Sequence, residues 1–162
     1  MKFSVSSNEL NKGLSAVIGA VPSKATLPIL ETILFESEDG KLKLTATDLE
    51  ISIIEYIDAD IEEDGAVAIP ARRLLETLRQ LPKIPVFFEV DERRNINFRT
   101  DKGNYKLVGD DADEFPEVPN LDDGTLINTT TELMNNAIHK TLFAVSSDDL
   151  RPAMMGVYFQ IG

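Results

Sequence analysis

The side chains most used for nucleophilic and metal chemistry, cysteine and histidine, are almost missing from this sequence. The 162 residues include no cysteine and one histidine, His139. That excludes disulfides, thiolate zinc sites, cysteine nucleophiles and any multi-histidine metal centre. Asp48 and Glu50 stand two apart on a strand-like run and so share a face, as a carboxylate pair for acid–base work would. An acidic turn at a strand exit explains them more simply and is preferred. The run Asp110-Asp111-Ala112-Asp113-Glu114 lacks the glycine and the spacing of a calcium-binding EF-hand loop. There is no Walker loop and no G-x-G-x-x-G. His139 falls on a predicted helix and reads as a solvent-facing polar residue. The expectation is a protein without catalytic residues, metal or cofactor.

What remains is charge. The net charge is −12, which by itself argues against nucleic acid. Its distribution changes the reading. Residues 31–64 hold twelve acids and two lysines. Residues 71–83 hold Arg72, Arg73, Arg79 and Lys83 against Glu76 alone, and residues 1–25 hold Lys2, Lys12 and Lys24 against Glu9. Both basic stretches are helix candidates. No apolar run approaches the ~18 residues of a membrane span. Met1-Lys2-Phe3 begins directly on a strand-like pattern, so the expected location is cytoplasmic, with no membrane partner.

The elements that must position these charges follow from periodicity. Lys2–Val5 reads as a strand. Ser6 or Ser7 can cap a helix whose stripe is Leu10, Leu14, Val17, Ile18 and Val21, ended by Pro22. Ile29–Glu36 reads as a strand, Asp39-Gly40 as a hairpin turn, and two alternating runs follow. The order then restarts. Ala66–Ile69 is a strand, and Pro70 opens a helix with Leu74, Leu75, Leu78 and Leu81 on its stripe. Val86–Val90, Ile96–Arg99 and Tyr105–Val108 are three more strands. The fold class is therefore α+β: two strand-helix-three-strand units with pseudo-twofold symmetry, two four-stranded antiparallel sheets outside and the helices side by side within.

An acidic, proline-bearing stretch follows and reads as a linker ending near Gly124. Beyond it, an offset of 124 realigns the chain with its own start. Leu10 then meets Met134, Leu14 meets Ile138, Pro28 meets Pro152 and Phe35 meets Phe159. Residues 1–122 are thus expected to be a complete domain and residues 123–162 the start of a second, truncated one. The tail should run strand, helix, strand, and the chain is expected to be an N-terminal fragment.

Several motifs stand in a telling order: Met1-Lys2-Phe3, Thr26-Leu27-Pro28-Ile29-Leu30, Leu44-Thr45-Ala46-Thr47-Asp48-Leu49-Glu50, Ile69-Pro70-Ala71-Arg72 and Glu114-Phe115-Pro116. Together they resemble the bacterial beta sliding clamps, the beta subunits of DNA polymerase III. Asp149-Leu150-Arg151 and Met155-Gly156 resemble the start of that family's second domain. The resemblance implies a homodimeric ring around duplex DNA, built from three such domains per subunit, with helices lining the hole. It implies a non-catalytic processivity factor that tethers the replicative polymerase and is handled by a clamp loader. It assigns DNA contact to Lys12, Lys24, Arg72, Arg73 and Arg79, with Arg73 also a candidate for the subunit interface. It assigns that interface to Tyr105 and Leu107 on an edge strand, and one edge of a partner-peptide pocket to Arg151 and Met154. Pro152 and Ala153 stand where some clamps carry an aromatic pair. The alternative from composition alone is a stand-alone acidic protein-interaction domain without DNA function. A clamp needs its helical cations on one face.

Overall fold

The computed structural model describes residues 1–118, 126–148 and 150–160. The chain separates into two compact units, Met1–Pro119 and Asn120–Gly162. The anticipated linker end at Gly124 and the domain boundary at 122/123 lie outside the described residues.

In the first unit, alternation builds two antiparallel sheets. The strands are β1 (Lys2–Ser6), β2 (Thr32–Glu38), β3 (Lys41–Thr47), β4 (Ser52–Asp58), β5 (Asp60–Glu63), β6 (Ala66–Pro70), β7 (Pro85–Val90), β8 (Asn95–Arg99) and β9 (Asn104–Val108). One sheet has the order β5-β1-β7-β8-β9 and the other β4-β3-β2-β6. The sheets therefore hold five and four strands, not four each. The extra strand is β5. Its only apolar side chain is Ile61, so alternation did not mark it. It forms because Phe3 pairs with Ile61 and Lys2 with Glu63 across β1, where Lys2 also forms an ion pair with Glu63 at 2.7 Å.

The helices α1 (Ser7–Val17) and α2 (Ala71–Arg79) pack against each other. Leu10, Leu14 and Val17 of α1, and Leu74, Leu75 and Leu78 of α2, are buried in one core with the inward residues of both sheets. Burial of each such side chain contributes roughly 2 kcal/mol. Ser6 stands at the N-cap of α1, but no side chain caps that helix. The Ser7 hydroxyl instead donates to the Pro82 carbonyl (2.7 Å) and accepts from the Ile84 amide (3.1 Å). This ties the start of α1 to the exit of α2. At the other end, the Arg72 guanidinium donates to the Val21 carbonyl (3.4 Å). The two helices therefore run antiparallel.

Residues 28–31 form a 3-10 turn rather than the start of the strand expected from Ile29. Pro28 opens that turn, and the Thr32 hydroxyl donates back to the Ile29 carbonyl at 2.6 Å. After β9 the chain crosses from one sheet to the other. Asp110 bridges Ala68 of β6, with the Asp110 amide donating to the Ala68 carbonyl at 2.8 Å. Gly109 makes the crossing, and a Cβ there would lie 2.8 Å from the Ala68 carbonyl oxygen and 2.7 Å from Val67 Cγ2.

In the second unit, α3 (Thr131–Leu142) is capped by the Thr130 hydroxyl, which accepts from the Leu133 amide at 3.2 Å. The strands expected on either side of α3 do not form among the described residues. A strand must find backbone partners, and no neighbouring strand is offered here. Met134 and Ile138, the counterparts of Leu10 and Leu14, are half-buried.

The tight crossing yields a direct expectation. Gly109→Val should destabilise the first unit by about 2–3 kcal/mol, because the Ala68 carbonyl and the buried, β-branched Val67 and Ile96 side chains oppose the new atoms and have little room to give. Urea unfolding followed by far-ultraviolet circular dichroism measures this. An unchanged midpoint would mean that the crossing relaxes without cost.

Candidate nucleic-acid interface

Asp48 closes the β3–β4 turn: one carboxylate oxygen accepts from the Ile51 amide (2.7 Å) and the Glu50 amide (3.0 Å). Leu49 between them sits in left-handed backbone at φ 79°. The hydrogen bonds from Ile51 and then Glu50 hold the Asp48 carboxyl below the usual aspartate range. Its acceptor capacity serves the turn, and no catalytic pair with Glu50 is built. On α3, His139 is exposed and its Nδ1 lies 3.0 Å from the Asn135 carbonyl. Among the described residues no group of three or more histidine or acidic side chains is placed to hold a metal ion.

The cations sort by helix. On α1, Lys12 is exposed but lies 2.9 Å from Glu9, one turn away. That contact and the Asn8 amide lower the Glu9 pKa. Local charge on α1 is therefore cancelled, which the three-residue spacing already allowed. On α2, Arg72, Arg73 and Arg79 are all exposed and oppose a single acid, Glu76. At about 100° per residue, Arg72 and Arg79 fall on one flank, two turns apart. The Arg72–Val21 contact shows that this flank faces α1. Lys24, also exposed, lies in the loop that leaves Val21. Lys12, Lys24, Arg72 and Arg79 thus belong to the helical side of the unit.

Arg73 points elsewhere. It lines a cleft of about 510 Å3 with Pro70, Asn95, Lys106, Leu107 and Val108, beside β9. Asp91 also lines this cleft, but it is engaged by the Asn95 side chain at 2.8 Å and by the Asn95 and Arg93 amides. Among the described residues neither Arg73 nor Lys106 has a carboxylate within ion-pair distance. The resemblance names Arg73 both among the DNA-contacting cations and as a candidate for the subunit interface. The helical angle between the adjacent Arg72 and Arg73 was the signal that they diverge.

Among the described residues β9 is an edge strand of the five-stranded sheet, with one side unpaired. Tyr105 and Leu107 are half-buried and pack against the core from the inward face. The Tyr105 ring stacks on Phe98 with centroids 4.9 Å apart. In the second unit, Arg151 precedes a short 3-10 turn, Pro152–Met154, and Met154 ends it; both are exposed, Met154 by 60%. The Met154 carbonyl accepts from the Ser146 amide at 2.9 Å.

Comparison with known proteins bears on all of this. Residues 1–119 match the family model described as DNA polymerase III beta subunit, N-terminal domain. The chain is 32% identical to the beta sliding clamp of Bacillus subtilis (strain 168), over 99% of this chain and 45% of that protein. It is also 32% identical to the beta sliding clamp of Vibrio cholerae, over 99% of this chain and 44% of that one. Among solved structures, the sliding clamp from Bacillus subtilis superposes with a TM-score of 0.88 at 33% identity, covering 94% of this chain and 42% of that one. The DNA polymerase III subunit beta from Pseudomonas aeruginosa gives 0.87 at 29% identity, covering 95% and 42%. The chain thus spans less than half the length of these relatives.

The Asp48 turn has a pH signature. Its folded pKa is depressed, so its stabilising contribution is present at neutral pH and is lost as pH falls through that depressed value. Protection of the Ile51 amide from hydrogen exchange, corrected for intrinsic rate, should therefore drop below the ordinary aspartate range. In Asp48→Ala the amide should be poorly protected at every pH. Protection that is flat with pH in the parent chain would remove the carboxylate from the turn.

Proposed function

The chain belongs to the DNA polymerase III beta-subunit family, and we propose that it forms part of a sliding clamp, a non-catalytic ring that encircles duplex DNA and tethers the replicative polymerase. One observation carries the reading: in a chain of net charge −12, α2 is a local excess of exposed arginine on the helical side of the first unit. A sliding contact must hold backbone phosphates without reading base edges, because base readout would pin the ring to one sequence. Long exposed cations suit that task, and acidic sheets steer the polymer toward them. Family membership favours this reading over a stand-alone acidic interaction domain.

Roles follow from placement. Arg72, Arg79 and Lys24 meet phosphates, and Lys12 does so only when it leaves Glu9. Arg73, with its place beside Leu107, serves the subunit contact made by Tyr105 and Leu107 on the free edge of β9. A partner strand there satisfies backbone groups that an edge otherwise leaves open. Residues 1–122 form the first clamp domain and residues 123–162 begin a second. Arg151 and Met154 supply one edge of a pocket for peptides of the polymerase and the clamp loader. The protein works in the cytoplasm without a cofactor.

A chimera tests this. Residues 1–119 replace the matching domain of the Bacillus subtilis relative, and the ring is loaded on nicked circular duplex. It should be retained on circles and lost when they are linearised. Changing Lys24, Arg72 and Arg79 to glutamate should weaken retention, lowering the salt slope by about 0.9 for each phosphate contact removed. The loss should be the same for different DNA sequences. Retention unaffected by the triple change would remove these residues from the DNA path.

A further inference from the structure

The face of the five-stranded sheet that points away from the core has its own architecture. Pairing aligns Phe3, Phe88, Phe98 and Tyr105 in one row across four strands, and these side chains face inward. On either side of that row the neighbouring side chains point outward. One flanking row reads Phe87, Arg99, Asn104; the other reads Lys2, Glu89, Asn97, Lys106. The two rows wall a groove of about 240 Å3 whose floor is the strand backbone at Phe3, Phe88, Phe98 and Tyr105, the rings themselves being turned into the core. It crosses four strands and so runs for roughly 14 Å at the usual strand spacing.

The groove is electrically polarised. At the β1 end Lys2 is satisfied by Glu63 at 2.7 Å and Glu89 at 3.7 Å, and Glu62 also lines the wall. At the β8–β9 end Arg99 and Lys106 have no carboxylate within ion-pair distance among the described residues. The Arg99 guanidinium lies over the Phe87 ring, 5.5 Å from its centroid. That ring is 42% exposed. Asn97 and Asn104 add exposed amide donors and acceptors that make no side-chain hydrogen bond among the described residues.

We propose that this groove binds an extended peptide segment, with an apolar side chain against Phe87 and acidic side chains at Arg99 and Lys106. Charge complementarity decides the occupant. Two unpaired cations beside an exposed aromatic ring, in a chain of net charge −12, select an anion with an apolar neighbour. A nucleic-acid strand offers phosphate along its whole length and would meet Glu62 and Glu89 at the far end. A peptide places its acids at one end only. About five extended residues span the groove at roughly 3.3 Å each. The site lies on the opposite face of the sheet from the core and helices and does not depend on the DNA reading.

The test uses the 162-residue chain labelled with nitrogen-15, titrated with the peptide acetyl-Leu-Phe-Ala-Asp-Asp-amide. Saturable shifts are expected at the side-chain amides of Asn97 and Asn104. Affinity should fall about tenfold in Arg99→Glu/Lys106→Glu, and less in Phe87→Ser. The matching lysine peptide should not bind. These side chains point to solvent, so unfolding midpoints should stay at the parent value. Should the glutamate pair lose its fold, Arg99→Gln/Lys106→Gln must still weaken binding. Absence of saturable binding, shifts confined to other surfaces, equal binding of the lysine peptide, or tighter binding of a short oligothymidylate in the groove would each overturn the proposal.

Discussion

The first unit depends on one row of stacked rings. Phe3, Phe88 and Phe98 stack in sequence with centroids 4.7 and 5.1 Å apart, and Tyr105 continues the stack at 4.9 Å. Each ring belongs to a different strand and faces its neighbour in register. Phe3 also meets Phe35 of the four-stranded sheet at 6.5 Å. The row therefore sets strand order, fixes register and joins the two sheets. A slip by one residue would turn every ring to solvent, so the register is strongly specified.

Two proposed surfaces inherit their positions from that register. With the rings inward, Phe87, Arg99, Asn97 and Lys106 must point outward, which builds the groove. The row ends at Tyr105 on a strand with one side unpaired among the described residues, so the same stack places a half-buried edge where the proposed subunit contact would form. The groove and the edge need no dedicated scaffold. They are exposures left to a sheet whose inner face is spoken for, the β5 edge being another.

Charge is arranged by the same layering. Acids occupy exposed strand positions and turns, where Asp48 and Asp91 also act as backbone acceptors. The arginines ride on α2, whose stripe of leucines commits one side to the core and leaves the other to solvent. Separation of charge thus follows from amphipathic elements packed in layers. The net value of −12 hides it.

The two helices, eight of the nine strands, the order of motifs and the segregation of cations were all legible in the residues. They rest on local rules: alternation for strands, three-to-four spacing for helices, prolines at boundaries. The residues did not reveal β5, because a strand with one apolar side chain exists only through its pairing with β1. They did not reveal that the Ser7 hydroxyl serves Ile84 and Pro82 rather than its own helix, or that Glu9 quiets Lys12; the helical angle between Arg72 and Arg73 showed that they diverge, but not that Val21 receives the one and Leu107 stands beside the other. The strands anticipated around α3 show the converse. A repeat can carry the pattern of a strand, but hydrogen bonds between distant segments make one. Sequence by itself determined which residues want burial and which want water; tertiary structure alone decided which distant residues meet, since register is a property of pairs.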